Sequence, residues 1–125
     1  ANLDGRRRAI NKSSSQGPTR DGREKTDIAA PGTDIVAAKG FAGTDRWLSM
    51  TGTSMASPYV AGVAGLMLAV NPTLTSAQIG GILRRTARPL AGSDFRWRDD
   101  AGVGAIDPER CLDEAVAMRA ERDIT

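Results

Sequence analysis

Gly52-Thr53-Ser54-Met55-Ala56-Ser57-Pro58-Tyr59-Val60-Ala61-Gly62, continued by an apolar run to Val70, is the stretch around which this chain is organised. From Ser54 to Val70 small and apolar residues fall on every side, the pattern of a central, buried helix. Its first N–H groups are unpaired by construction, and the positive end of its dipole faces Ser54. A serine so placed suits nucleophilic attack on a carbonyl, because the resulting oxyanion forms beside backbone donors. The same geometry also describes a plain N-cap, and taken alone a serine before a helix is usually that. Gly62 and Gly65 each weaken the helix by about 1 kcal/mol relative to Ala, a cost expected where another backbone passes close. Pro58 falls in the first turns and Asn71-Pro72 ends the helix.

Around this stretch the composition is that of one domain. The chain has 125 residues, 40% of them apolar and 4% aromatic, so a core must be built from Ala, Val, Ile, Leu and Met. Fourteen glycines and six prolines suggest a loop-rich α/β body rather than a helical bundle. The net charge of +2, opposed by 15 acids, gives no ground for nucleic acid as a default partner. The single Cys111 excludes an internal disulfide framework. Residues 1–25 carry no apolar leader pattern, and the run Met55–Val70 falls short of the roughly 20 residues of a membrane span. There is no histidine, so a mechanism that needs an imidazole base must obtain it from outside this chain.

Upstream, residues 1–25 read as an exposed polar loop with a short extended piece at Ala9-Ile10. The basic cluster Arg6-Arg7-Arg8, Lys12, Arg20, Arg23 and Lys25 reads as a solvated, partly neutralised surface, since no aromatic is interleaved for base stacking. Thr26–Ala30 is a short strand stopped by Pro31-Gly32. Asp34–Lys39 and Trp47–Met50 read as an antiparallel hairpin that delivers the chain to Gly52. Downstream, Thr75-Ser76-Ala77-Gln78 is a capping box opening a helix to about Ala87, with Ile79, Ile82, Leu83 and Thr86 inward. Phe95–Ala101 is a polar excursion containing Trp97. After the small-residue segment Gly102–Ile106, Asp107-Pro108 caps a last helix running to about Arg122, with Leu112, Ala115, Val116 and Met118 inward.

The eleven residues from Gly52 to Gly62 resemble the nucleophile motif of the subtilisin-like serine proteases, the subtilases, and Gly52–Pro58 matches it at every position. Four further segments agree in order and spacing: Ser14–Arg23 with Lys25, Asp27–Gly32, Asn71–Gln78 on to Thr86-Ala87, and Gly102–Asp107. The resemblance runs from about Ile10 to Val116. Two positions depart from the family pattern: Tyr59 stands where most members carry a structural histidine, and Thr51 where many carry asparagine.

The resemblance implies the C-terminal portion of a three-layer α/β/α fold with a mostly parallel sheet, with residues 26–125 in the peptidase domain and 1–25 a loop region of it. It implies a serine endopeptidase in which Ser54 is the nucleophile and its N–H an oxyanion donor, with Thr53 in support. The catalytic Asp and His and the oxyanion Asn precede this segment in the family, in the known chain order Asp, His, Ser of subtilisin. Asp27, Asp45 and Asp107 do not complete a triad internally, because no imidazole is present for them to orient. The implied partners are a peptide or protein substrate and either an upstream fragment of the same domain or a second copy. No membrane and no nucleic acid is expected. Calcium is common in the family, yet no ligand spacing for it stands out and no cofactor is expected here. Family habit points to secretion. The alternative reading is a non-catalytic pseudo-protease or scaffold module that keeps the motif for packing.

Overall fold

Extended segments too short to stand alone are held in this chain by long-range pairing. The computed structural model describes residues 1–5, 9–40, 43–90 and 97–124. Strand β1 (Asn2–Asp4) is central in a three-stranded sheet, antiparallel to β2 (Ala9–Ile10) and parallel to β3 (Ala30–Pro31). Asn2 and Leu3 are buried, so the expectation of an exposed loop over residues 1–25 is corrected at its start. The reason is topological: a polar-looking segment becomes interior because β2 and β3 flank it on both sides. From Ser15 to Lys25 no strand forms and most residues are exposed.

The strand expected at Thr26–Ala30 divides between two partners. Ala29 bridges Ala105, with Ala29 N–H donating to the Gly104 carbonyl and Ile106 N–H to the Ala29 carbonyl, both at 2.8 Å. Only Ala30-Pro31 pairs with β1. Strands β4 (Ile35–Ala38) and β5 (Trp47–Met50) form the expected antiparallel hairpin, in the register Ile35 to Met50 through Ala38 to Trp47.

Helix α1 (Thr53–Val70) packs on β1 and β3 and against α3 (Pro108–Ile124), which also meets α2 (Ser76–Arg85). Its covered stripe is Ala56, Val60, Val63, Met67 and Val70, spaced by fours and threes as one helical face must be. This corrects the reading of a helix buried all round: Tyr59, Leu66 and Leu68 are exposed, Leu66 to 54%. By length and hydropathy α1 meets the threshold of a membrane span. Gly62 and Gly65 also differ from expectation, for among the described residues no atom beyond the neighbouring helix backbone would lie within 4 Å of a Cβ at either. The core joins Ala56, Val63 and Met67 to Leu74, Ile82, Leu83, Ile106, Cys111 and Ala115.

Both reciprocal bonds of the capping box form, Gln78 N–H to Thr75 Oγ1 at 3.1 Å and Thr75 N–H to Gln78 Oε1 at 2.8 Å. Asp107 caps α3 through its Oδ1, which accepts from Arg110 N–H at 3.1 Å. On α3 the inward residues are Cys111 and Ala115, flanked by half-buried Leu112 and Met118, whereas Val116 is 50% exposed, against expectation. The Arg6–Arg8 cluster and the first two residues of the polar excursion, 95 and 96, lie outside the described residues; from Trp97 on it is described, with Trp97 Nε1–H donating to the Thr26 carbonyl at 2.6 Å. Among the described residues the fold is thus an α/β arrangement of one sheet, one hairpin and three helices, with β3 and the hairpin meeting the start of α1 at Gly52.

Candidate functional site

The hairpin hands the chain to α1 through Thr51 and Gly52. Thr51 Oγ1 accepts from Asp34 N–H at 2.9 Å, closing the hairpin base. Gly52 is the N-cap in extended conformation. Its N–H donates to the Gly32 carbonyl at 2.8 Å, and its carbonyl accepts the first bonds of the helix, from Met55 N–H at 3.0 Å and Ala56 N–H at 3.3 Å. Gly32 in turn donates to the Leu3 carbonyl at 3.1 Å, so the start of α1 is tied through the β3 turn to the central strand. A Cβ on Gly32 would stand 2.6 Å from the Gly52 carbonyl oxygen, a separation only glycine avoids.

Thr53 and Ser54 occupy the first two helical positions, and both are exposed. The N-cap alternative for Ser54 is therefore excluded: the cap is Gly52, and no side chain caps this end. Among the described residues the Ser54 hydroxyl has no hydrogen-bond partner and its N–H has no acceptor. No acidic residue lies in the first turn to offset the dipole. Pro58, inside the helix, cannot donate to the Ser54 carbonyl four residues back. Among the described residues Ser54 thus has neither its hydroxyl nor its N–H engaged at a positive helix end, an arrangement that suits attack on a carbonyl beside a backbone donor.

Of the three aspartates Asp27, Asp45 and Asp107, Asp45 is exposed on the hairpin loop and the other two are engaged. Asp27 pairs with Lys25 at 2.8 Å and Asp107 with Arg88 at 2.6 Å. Burial alone would raise the Asp107 pKa; the hydrogen bonds from Arg88 and Arg110 N–H, with the charges of both arginines, outweigh it and hold the carboxyl below its usual range. Burial pushes the Cys111 thiol up, and its sulfur meets the Thr86 hydroxyl at 3.2 Å, so it is a core residue with no thiolate character. In the basic loop Arg23 pairs with Asp21 at 3.0 Å.

A groove of about 470 Å³ runs along the start of α1, walled by Ala30, Thr53, Ala56, Ser57 and Val60. A slightly larger cavity, about 490 Å³, lies between Leu3, Leu90 and the Arg88–Asp107 pair, away from Ser54. Asn2 and Thr33, which no motif in the sequence singles out, join Gly32 beside Gly52. The dipeptide Pro31-Gly32 signalled a turn and closed the segment that resembles the family, but Asn2 lies 31 positions from Thr33 with no local pattern to announce it.

The description of the subtilase family matches residues 5–106. Serine protease AprX of Bacillus subtilis is 36% identical over 79% of this chain and 24% of its own length. The halolysin-like extracellular serine protease Nep of Natrialba magadii is 40% identical over 66% of this chain and 14% of its own length. Among solved structures, the Clostridium perfringens CspB protease superposes with a TM-score of 0.75 at 24% identity, over 94% of this chain and 26% of that one, a likeness of fold. The chain spans about a quarter or less of the length of these relatives. With β3, the Gly32 turn, Gly52, Thr53 and Ser54 all inside the matched residues, the chain belongs to the subtilase family.

Proposed function

We propose that this chain carries the nucleophile of a serine endopeptidase. The observation that bears the proposal is Ser54 at the second position of α1, exposed, with hydroxyl and N–H both unengaged among the described residues. An imidazole from outside the chain takes the Ser54 proton as Oγ bonds to the scissile carbonyl carbon. The carbonyl oxygen becomes an oxyanion held by the Ser54 N–H and a second donor, with Thr53 in support. Collapse expels the amine, which receives the proton, and water then hydrolyses the acyl-enzyme.

With no histidine in 125 residues, the isolated chain is expected to be nearly inactive. In subtilisin itself, where the figure is known, loss of the catalytic histidine costs on the order of 10⁶ in kcat. The partners that fit are a peptide or protein substrate and the upstream segment of the same domain, or in its absence a second copy. No metal is given a role in this segment; among the described residues no three His, Cys, Asp or Glu side chains cluster. The name of the extracellular relative Nep supports secretion.

The test is a fluorophosphonate probe on the full-length protein and on the 125-residue chain. Full-length protein is expected to label at Ser54 and Ser54→Ala to abolish both labelling and peptide hydrolysis. The isolated chain should label slower by several orders of magnitude. Full-length protein that neither labels nor cleaves is the outcome expected of a pseudo-protease or scaffold module.

A further inference from the structure

Asn2 lies on the central strand with its side chain wholly buried. Its N–H donates to Ser14 Oγ at 3.0 Å and its carbonyl accepts from Asn11 N–H at 2.8 Å. The Thr33 hydroxyl donates to Asn2 Oδ1 at 3.0 Å and itself accepts from Asn11 Nδ2 at 3.1 Å. The remaining donor, Asn2 Nδ2, is buried with no partner among the described residues. For packing alone an aliphatic side chain would serve better, since it carries no amide to strip of water.

The carboxamide lies against the glycine that holds the helix start. From the point a Gly32 Cβ would occupy, Asn2 Oδ1 is 2.7 Å away, Asn2 Cγ 3.0 Å and the Gly52 carbonyl oxygen 2.6 Å. One glycine is thus enclosed between the Asn2 amide and the carbonyl that accepts the first bonds of α1. Gly32 is also held at its N–H by Leu3 and passes that constraint to Gly52 through its own carbonyl.

We propose that Asn2 is a positioning residue for Ser54. With Thr33 it fixes the turn at Gly32, Gly32 fixes Gly52, and Gly52 sets the direction of the first N–H groups of α1. The proposal rests on the reading of Ser54 as nucleophile, because oxyanion donors act only within a narrow geometry. Asn2, wholly buried, acts through Gly32.

The test uses the full-length protein with Asn2→Leu, Thr33→Val, the double variant, and Thr33→Ser, which restores the hydroxyl. Asn2→Leu and Thr33→Val are each expected to lower kcat on a chromogenic peptide about tenfold, with KM within about twofold, since misplacement of reacting groups reaches 10²-fold. The double variant should be no worse than the poorer single one, because both act through one linkage. Thr33→Ser should recover most of the rate. Hydrogen exchange at Gly52, Met55 and Ala56 should quicken while that of α2 stays unchanged. Unchanged exchange at those three amides overturns the proposal, as does kcat that stays at the wild-type value or falls only in step with global stability. If Asn2→Leu fails to fold, Thr33→Val, nearly equal in shape, decides the matter. Wild-type protein that neither labels nor cleaves would defeat the nucleophile reading instead, and the hold on Gly52 is then judged by exchange alone.

Discussion

At Gly32 a single hydrogen separates a workable site from a blocked one. A methyl group there meets backbone oxygen at 2.6 Å on one side and the Asn2 amide on the other, and neither is the far end of a flexible chain. Gly32→Ala is expected to destabilise the protein by about 1–3 kcal/mol, the usual range for overpacking, and to slow Ser54 labelling by more than the stability loss explains. Urea unfolding and probe kinetics on the same samples measure the two effects. Gly81 on α2 is the contrast, because a Cβ there meets nothing nearer than an Arg85 guanidinium nitrogen at 3.8 Å. Gly81→Ala should therefore stabilise by roughly 0.5–1 kcal/mol through the unfolded chain and helix propensity. Equal effects of the two substitutions would refute the crowding argument. Gly102 makes the same point through its backbone: at φ 65° it adopts a conformation costly for other residues, with the Asp27 carbonyl 2.2 Å from where a Cβ would stand.

Among the elements, α3 shows how one residue links capping to pH. Asp107 is nearly buried, caps Arg110 N–H and accepts from Arg88. Its folded pKa lies below the ordinary value, so the unfolded chain takes up a proton first as pH falls. The stability it confers is complete above about pH 5 and is lost as pH falls through the lower folded value. Asp107→Asn keeps a capping oxygen but loses the charge. It should cost about 1 kcal/mol at pH 7, a figure discounted because Arg88 is largely exposed, and should converge on wild type once the pH falls below the lowered folded value. Urea midpoints across that range measure it, and a gap that persists at acid pH would contradict the assignment. Asp107-Pro108 and the Thr75–Gln78 box were readable because a cap and its partner lie three residues apart. The hairpin was readable because β4 and β5 are neighbours in sequence with glycines between them. Strand β1 was not, since Asn2 and Leu3 owe their burial to Ala30 and Pro31, about 28 positions away. The place of Ser54 at the head of α1 was readable from the Gly52–Pro58 stretch, whereas Asn2 and Thr33 met Gly32 only when the parallel pairing brought them together.

On the scale of the whole molecule, apolar surface is distributed unevenly. Helix α1 buries one stripe and leaves Tyr59, Leu66 and Leu68 exposed, and the hairpin exposes Val36, Trp47, Leu48 and Met50. Contiguous apolar patches beyond a few hundred Å² are uncommon on soluble monomers and mark surfaces that other elements cover. The 125-residue chain on its own is therefore expected to associate with itself, and supplying the upstream segment should compete with that association. Leu66 and Leu68 are two positions apart on α1, and neither belongs to the core cluster. Leu66→Lys with Leu68→Glu should lower the mass measured by light scattering while leaving the circular dichroism of α2 and α3 in place, because the covered stripe at Ala56, Val63 and Met67 is untouched. The mechanism is desolvation cost: the two residues flank the buried Met67 stripe on opposite sides, and a charge at either must lose its water when that flank is covered, which opposes association without opposing folding. A compact monomer of the unmodified chain, with no bound dye reporting exposed apolar surface, would show that α1 needs no further covering. The double variant also separates the exposed surfaces, since association that persists after it points to the hairpin at Val36 and Trp47, the larger apolar surface left, and Val36→Lys with Trp47→Glu tests it.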